Sequence, residues 1–339
     1  MTTPALCDEH DAALFDLDGV VYLGPDPVEG APAGISGLRE RGVRVGFVTN
    51  NAARPPRVVA DQLTRIGVPA GAGDIVTSAQ AAAGMLRDAL PTGSAVLIVG
   101  TEALADEVRA VGLVPVTDRT GMPAAVVQGY DPQMTWPRVT DAVHAIQAGA
   151  SWFAANLDST RPTDLGLEPG VGTQVDAVAS CFPGREPEVA GKPFPPLLRE
   201  TVRRLGGEHP IFVGDRLDTD MEGANRVEMS SLFVFTGAHG IRDLLGAVPI
   251  QRPENIGHDL RALLDPKRIA VVESDVAARC GHSRVRLTDE AVHFYGPLDS
   301  RDEQLDALWA LLQLVWRAAD DGRVLPDLGP VFAALDLLH

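Results

Sequence analysis

Cysteine is scarce in this sequence of 339 residues, and its occurrences lie far apart. Cys7, Cys181 and Cys280 form neither a Cys-x-x-Cys pair nor a cysteine/histidine spacing typical of a zinc site. The pattern argues against a disulfide or zinc scaffold and favours reduced thiols in a cytoplasmic protein.

Positive charge is also in short supply. The chain has 29 Lys and Arg against 46 Asp and Glu, which gives a formal net charge of -17. A protein this acidic is a poor match to nucleic acid or to anionic membranes, so neither is expected as a partner. An anionic ligand would need a local positive group.

Long apolar runs are missing as well. No stretch approaches the roughly 20 residues that a membrane-spanning helix requires. The N-terminal MTTPALCDEHDAA contains no basic segment followed by an apolar one. These absences predict a soluble cytoplasmic protein and leave homo-oligomerisation open.

Short apolar runs rich in β-branched residues alternate along the chain with amphipathic, helix-like segments. Continuous apolar strands of this kind are typical of parallel sheets covered on both faces, so the sequence predicts an α/β fold. Prolines at predicted helix starts and glycines after predicted helix ends support the helix positions: Pro55, Pro56, Pro195, Pro196, Gly67 and Gly206. The predicted strands are AALFD (12–16), VRVGFVTN (43–50), AVLIVG (95–100), AAVVQGY (124–130), SWFAAN (151–156), IFVGD (211–215) and SLFVFTG (231–237).

The length of the chain suggests two or three compact units. Residues 79–187 contain strand and helix patterns without polar strand ends, and we interpret them as an inserted domain. Residues 1–78 and 188–266 would then form one core, and residues 267–339 a small α+β appendage.

Three predicted strands end in polar side chains. They are followed by Asp16 and Asp18, by residues 49–51, and by residues 215–220. Ligands of open parallel sheets bind beyond the carboxyl ends of the strands, which makes these positions candidate site residues. Each fragment alone could instead be a solvated or capped turn.

The spaced carboxylates suggest a phosphoryl-transfer site. Mg²⁺ prefers oxygen ligands, which Asp16 and Asp215 can supply. With its charge neutralised, Asp16 can attack phosphorus and form a phosphoaspartate. Asp18 can serve first as acid and then as base, with a pKa raised by neighbouring carboxylates and partial burial. Asp220, and also Asp218, would orient metal-bound water from outside the ligand set.

Phosphoryl oxygens need fixed donors, because they gather charge in the transition state. The candidates are the Thr49 hydroxyl, the Asn50 and Asn51 amides and Lys192. Lys192 also supplies positive charge that the chain as a whole lacks. The alternative for Lys192 is an exposed lysine near a helix start.

The fragments FDLDGV, VTNN, GKP and GDRLDTD, in this order, resemble the four motifs of the haloacid dehalogenase superfamily of aspartyl-nucleophile phosphatases. The segment FAANLDSTRPTDLGLEPGVGTQVDAV resembles the α/β cap of its 4-nitrophenylphosphatase-like branch. The resemblance covers about residues 10–265. It implies a Rossmann-like parallel-sheet core, Mg²⁺ as cofactor, and a cap that closes over the site and selects the substrate.

The resemblance also implies roles for individual residues. Asp16 would be nucleophile and Mg²⁺ ligand, Asp18 acid/base and a ligand through its carbonyl, and Asp215 the third ligand. Residues 49–51 and Lys192 would hold the phosphate. In the cap, Arg161 falls at the loop position that reaches into the active site of relatives and is a candidate specificity residue, the alternative being a surface arginine.

Within the branch, the chain most resembles glycerol-3-phosphate phosphatases whose C-terminus carries an acetyltransferase-like remnant. The stretch YGPLDSRDEQ before the last long helical pattern lacks a glycine loop for a coenzyme A pyrophosphate and carries repelling carboxylates, so we expect an inert appendage. Trp309 and Trp316, seven apart, are expected to pack together. Gly170 and Gly172 suggest a dinucleotide loop, but the third glycine is missing.

The resemblance therefore implies Mg²⁺-dependent hydrolysis of a small phosphomonoester, with glycerol 3-phosphate favoured. Phosphoglycolate, pyridoxal phosphate, a nucleotide or a sugar phosphate are alternative substrates, and a phosphotransferase is an alternative reaction. A non-catalytic phospho-ligand sensor is disfavoured because it would not need the proton shuttle at Asp18. Acyl transfer by the appendage is a fourth hypothesis.

Overall fold

The computed structural model describes residues 4–163 and 166–338. They divide into two compact units. The first unit contains the chain up to Val45 and from Glu208 onward, and the second contains Gly46–Gly207. The second unit therefore holds residues 46–78 and 188–207 together with 79–187. The domain bounds proposed from the sequence remain a prediction.

The described strands and helices follow the alternation expected from the sequence. The strands are β1 (Ala12–Phe15), β2 (Tyr22–Leu23), β3 (Asp26–Pro27), β4 (Arg44–Thr49), β5 (Ile75–Thr77), β6 (Ala95–Val99), β7 (Val114–Val116), β8 (Ala125–Gln128), β9 (Ser151–Ala154), β10 (Thr160–Thr163), β11 (Gly166–Pro169), β12 (Glu188–Val189), β13 (Pro210–Gly214), β14 (Ser230–Val234), β15 (Asn255–Gly257), β16 (Ala270–Ser274), β17 (Ala277–Cys280), β18 (Ser283–Leu287) and β19 (Val292–Tyr295). The α-helices are α1 (Ala31–Glu40), α2 (Pro56–Arg65), α3 (Ser78–Ala89), α4 (Glu102–Ala110), α5 (Trp136–Gln147), α6 (Val171–Ala179), α7 (Pro195–Leu205), α8 (Glu222–Arg226), α9 (Ile241–Leu245), α10 (Arg301–Asp320) and α11 (Gly329–Ala334).

The first unit is built on parallel strands in the order β15-β14-β13-β1. Every residue of β1 is buried, as expected for a strand covered on both faces. The register pairs Phe15 with Val213, so β1 and β13 end at the same edge. This edge is where Asp16 and Asp215 follow their strands.

The predicted appendage, here called the C-terminal segment (described for residues 267–338), packs into the core of the first unit. Its antiparallel sheet, in the order β16-β17-β18-β19, and α10 share one hydrophobic cluster with Phe233 and Leu244. Trp316 donates a hydrogen bond from Nε1 to the Leu244 carbonyl at 2.8 Å. Trp309 and Trp316 pack edge to face, with ring centroids 5.9 Å apart, which confirms that they are packing residues.

The second unit contains a five-stranded parallel sheet in the order β12-β9-β8-β6-β7. A second parallel pair joins β4 to β5, and β10 and β11 form an antiparallel hairpin. The parallel sheets of the two units confirm the α/β class. The predicted helix starts are confirmed by α2 and α7, which begin at Pro56 and Pro195.

No helix within the described ranges combines the length and the apolar character that crossing a membrane would require.

The cysteines differ in environment, which predicts different reactivities. Burial raises the pKa of Cys7, and burial together with the Asp306 carboxylate raises that of Cys280 to about 12, so both thiols stay protonated. Cys181 is exposed. Iodoacetamide at about pH 8 should modify Cys181 in the folded protein and reach Cys7 and Cys280 only after denaturation. Peptide mass spectrometry measures this, and native modification of Cys280 at the rate of Cys181 would contradict it.

Candidate active site

The first carboxylate of the site lies at the end of β1. The Asp16 N–H still donates to the Val213 carbonyl at 2.9 Å, as in a continuing parallel pair. The chain then turns, and Val21 N–H donates to the Leu17 carbonyl at 2.9 Å. Asp16 is partly buried and Asp18 is exposed. The tight turn thus separates a carboxylate at the strand end from one in contact with solvent.

The second strand end contributes two buried carboxylates, Asp215 and Asp220, which are 2% and 0% exposed. A π-helical turn over Leu217–Met221 brings Asp220 back to the end of β13. There its Oδ2 accepts N–H groups of Asp215 at 3.2 Å and of Arg216 at 3.1 Å. This burial contradicts the alternative of a solvated acidic loop.

Two glycines leave the space that these carboxylates fill. A Cβ on Gly214 would lie 2.3 Å from the Asp220 Cβ, and one on Gly237 only 1.9 Å from Asp215 Oδ2. Beside Gly237, the Ala238 N–H donates to Asp215 Oδ2 at 2.6 Å. The backbone therefore closes around Asp215 so tightly that no side chain fits.

Asp16, Asp215 and Asp220 each offer an oxygen within 4.8 Å of the others. Three carboxylates this close repel one another, and a divalent cation relieves that repulsion. The donors are hard oxygens, which fit Mg²⁺. Asp18 contributes no side chain to this cluster, and its proposed ligand atom is a main-chain carbonyl.

Asp218 lies outside the carboxylate cluster and has another partner. Burial disfavours its charged form, but hydrogen bonds from Arg216 at 3.0 and 2.8 Å outweigh burial and lower the pKa of Asp218. Asp218 is therefore an anion that neutralises Arg216. Its proposed role in orienting metal-bound water remains a prediction.

The predicted phosphate-binding residues of the second unit lie at the C-terminal end of β4, whose last residue is Thr49, and at Lys192. Thr49 is 4% exposed, and its hydroxyl accepts the Asn51 N–H at 3.1 Å. Asn51 Oδ1 in turn accepts the Ala53 N–H at 2.9 Å. The Asn50 side chain hydrogen-bonds both the N–H and the carbonyl of Lys192. Lys192 is 3% exposed, so the alternative of an exposed lysine is wrong.

Arg161 lies in the β10–β11 hairpin of the second unit. Its Nε is 3.6 Å from Glu168 Oε2, and its guanidinium lies 4.7 Å from the centroid of the Tyr130 ring. These contacts hold the Arg161 side chain against Glu168 of the hairpin and against Tyr130. Its proposed role in substrate selection remains a prediction.

The sequence interpretation missed two polar residues at a strand end. Asn156 and Asp158 follow β9 and hydrogen-bond to Asn50. The expectation that residues 79–187 lack polar strand ends was therefore wrong. The letters NLD, which begin two residues after the end of β9, carried the signal.

Family comparisons agree with this geometry. A model described as haloacid dehalogenase-like hydrolase matches residues 13–114, and a related hydrolase-like model matches residues 189–263. The chain belongs to the haloacid dehalogenase-like hydrolases, which confirms the resemblance drawn from its motifs.

Within this family, the chain is 44% identical over 318 residues to D-glycerol 3-phosphate phosphatase of Mycobacterium tuberculosis, covering 93% of this chain and 89% of the relative. An acid sugar phosphatase of Staphylococcus aureus is 32% identical, covering 70% and 90%. A crystal structure of the mycobacterial glycerol phosphate phosphatase with magnesium superposes with a TM-score of 0.86 at 42% identity over 99% of both chains. The p-nitrophenyl phosphatase of Archaeoglobus fulgidus gives 0.70 at 27% identity, covering 76% and 98%.

The space at Gly237 predicts a metal-affinity defect. In Gly237→Ala the new methyl group must displace Asp215, so Mg²⁺ affinity should fall by about 10- to 100-fold. Gly240→Ala is the matched control, because nothing lies within 4 Å of a Cβ there. Titration calorimetry with MgCl₂ measures both affinities. Equal affinities for the two variants would contradict the prediction that a methyl group at position 237 displaces a metal-binding carboxylate.

Proposed function

We propose that this chain hydrolyses a small phosphomonoester with Mg²⁺ as cofactor, and that the preferred substrate is glycerol 3-phosphate. The observation that carries the reaction class is the cluster of Asp16, Asp215 and Asp220 at the ends of two parallel strands. The substrate assignment is supported by 44% identity to a D-glycerol 3-phosphate phosphatase over 93% of this chain.

In the proposed reaction, an Asp16 oxygen forms a bond to phosphorus while the bond from phosphorus to the leaving oxygen breaks. Asp18 gives its proton to the leaving alkoxide and then takes a proton from the water that opens the phosphoaspartate. Asp16, Asp215 and the Asp18 carbonyl would hold Mg²⁺, which when bound would supply positive charge against the phosphoryl oxygens.

The phosphate is proposed to be held by Lys192, the Thr49 hydroxyl and amides of residues 50 and 51. Because the Asn50 side chain already bonds Lys192 and Asp158, its proposed contribution is its main-chain N–H. Burial of Lys192 supports the proposal, since a buried ammonium requires anionic or polar partners.

A sugar phosphate is the second candidate substrate. It is favoured by the 32% identity to an acid sugar phosphatase over 70% of this chain. Glycerol 3-phosphate ranks first because the corresponding relative also matches the C-terminal segment. In either case Arg161 is the proposed specificity residue.

The C-terminal segment is proposed to be inert in catalysis. At the start of α10, Glu303 N–H donates to Ser300 Oγ at 3.3 Å, and the Glu303 carboxylate accepts the Ser300 N–H at 3.0 Å. The helix N-terminus is thus capped by its own side chains and carries negative charge, which opposes binding of a pyrophosphate there.

A phosphate-release screen tests the substrate proposal. We expect kcat/KM for glycerol 3-phosphate to exceed that for sugar phosphates, phosphoglycolate, pyridoxal phosphate and nucleotides by about tenfold or more. Removal of Mg²⁺ with EDTA should abolish release, and added MgCl₂ should restore it. A higher kcat/KM for a sugar phosphate would select the second candidate, and no release from any of them would refute the proposed function.

Replacement of the nucleophile tests the reaction path. Asp16→Asn should abolish turnover and trapping of a phosphoenzyme, because an amide cannot form the acyl phosphate. Asp26→Asn, an exposed position in the same unit, is the matched control and should retain activity. Acid-quench with labelled substrate measures the phosphoenzyme. Turnover by Asp16→Asn at the control rate would rule out Asp16 as the nucleophile.

A further inference from the structure

The side chain of Asn50 bonds both main-chain polar groups of Lys192. Asn50 Oδ1 accepts the Lys192 N–H at 2.8 Å, and Asn50 Nδ2 donates to the Lys192 carbonyl at 3.1 Å. This pair of bonds resembles the two N–H···O bonds that opposite residues exchange in an antiparallel sheet, except that a side-chain amide takes the place of one main chain. It places the main chain at Lys192 relative to the end of β4.

A third partner orients the Asn50 amide. Nδ2 also donates to the Asp158 carboxylate, with distances of 3.1 and 3.2 Å to its two oxygens. An ionised carboxylate only accepts hydrogen bonds. A flipped amide would bring its oxygen against this carboxylate and the Lys192 carbonyl. Asp158 therefore adds to the Lys192 carbonyl in favouring the one orientation in which Asn50 can bond both the N–H and the carbonyl of Lys192.

Asp158 is itself held by its surroundings. Its N–H donates to Asn156 Oδ1 at 3.0 Å, and Asn156 Nδ2 donates to the Asn50 carbonyl at 2.5 Å. The Asp158 carbonyl accepts the Gly172 N–H at 2.9 Å. The loop after β9 is thus tied both to the start of α6 and to Asn50.

Three glycines allow these close approaches. A Cβ on Gly191 would lie 2.8 Å from Asn50 Oδ1, directly beside Lys192. A Cβ on Gly170 would lie 2.1 Å from the Asp158 carbonyl oxygen, and one on Gly172 would lie 2.5 Å from that of Leu157. The pair at 170 and 172 therefore serves the packing of this loop, which explains glycines that do not form a dinucleotide site.

We propose that Asp158 is a positioning residue for the phosphate-binding lysine. It orients the Asn50 amide, and that amide fixes the main chain from which the Lys192 side chain extends. The inference rests on the proposed function, in which Lys192 holds the phosphate. It assigns to the loop after β9 a part in catalysis that needs no contact with the reacting atoms.

The composition of the chain permits a direct test. The sequence has two lysines, Lys192 and Lys267, and the Lys267 side chain is 38% exposed. Amine labelling followed by peptide mass spectrometry therefore reports on Lys192 with Lys267 as internal reference. The variants are Asp158→Ala, which removes the acceptor, Asp158→Asn, which keeps an acceptor oxygen, and Asp176→Ala as an exposed control.

In Asp158→Ala we expect Lys192 to be labelled several-fold faster than in wild type, with Lys267 unchanged. kcat should fall by about 10- to 100-fold, and KM should change by less than about threefold. Asp158→Asn should restore both the Lys192 labelling rate and kcat to near wild type. This rescue would not occur if position 158 required a negative charge or if Asp158→Ala were a purely structural defect. If Asp158→Ala does not fold, Asn50→Asp, which sets two carboxylates against each other, should give the same two changes.

The proposal would be overturned if Asp158→Ala and Asp176→Ala showed the same Lys192 labelling rate and the same kcat. Faster labelling with unchanged kcat would overturn its catalytic part, and so would a failure of Asp158→Asn to rescue kcat. The labelling readout needs no substrate. If wild type released no phosphate, the proposed function would fail while labelling still decided whether Asp158 orders Lys192.

Discussion

Mutual repulsion among Asp16, Asp215 and Asp220 is the constraint on which the rest of this protein depends. Their oxygens lie within 4.8 Å of one another, and the repulsion between three negative charges makes this arrangement unfavourable in the absence of a cation. Two strands paired in register set the first two positions, and a π-helical turn supplies the third. Glycines at 214 and 237 let the main chain approach the side chains of Asp220 and Asp215 closely. A divalent cation is the natural counter-charge to such a cluster.

The second unit gathers two amides and one carboxylate after its strands in a similar way. Asn50 follows β4, and Asn156 and Asp158 follow β9, so polar side chains again gather directly after buried parallel strands. Asn156 and Asp158 hydrogen-bond to Asn50, and the Asn50 side chain hydrogen-bonds the main chain of the buried Lys192. Each unit thus holds its charged groups on short loops directly after strands. Side chains that are already held in place lose little conformational entropy when a ligand binds.

Much of the fold and part of the site could be predicted from the sequence. Continuous apolar runs such as that of β1 indicated buried parallel strands, and aspartates directly after them indicated the cluster. The strand β5 has only three residues and left no pattern to detect. Asn156 and Asp158 were missed although their letters follow a predicted strand, because their partner Asn50 lies more than a hundred residues away in the sequence. The packing of Trp309 with Trp316 was predicted from their spacing, but the hydrogen bond from Trp316 to the Leu244 carbonyl was not.

The division of the chain has a consequence for synthesis. The second unit is one uninterrupted segment, Gly46–Gly207, whereas the first joins the opening of the chain to residues from Glu208 onward. On the ribosome, the continuous segment can fold as soon as it emerges. Strand β1 must wait for its neighbour β13, and the shared core must wait further for Trp316. Asp16, the proposed nucleophile, is therefore made before the segment Gly46–Gly207 and reaches its final place only after that segment and β13 have been made.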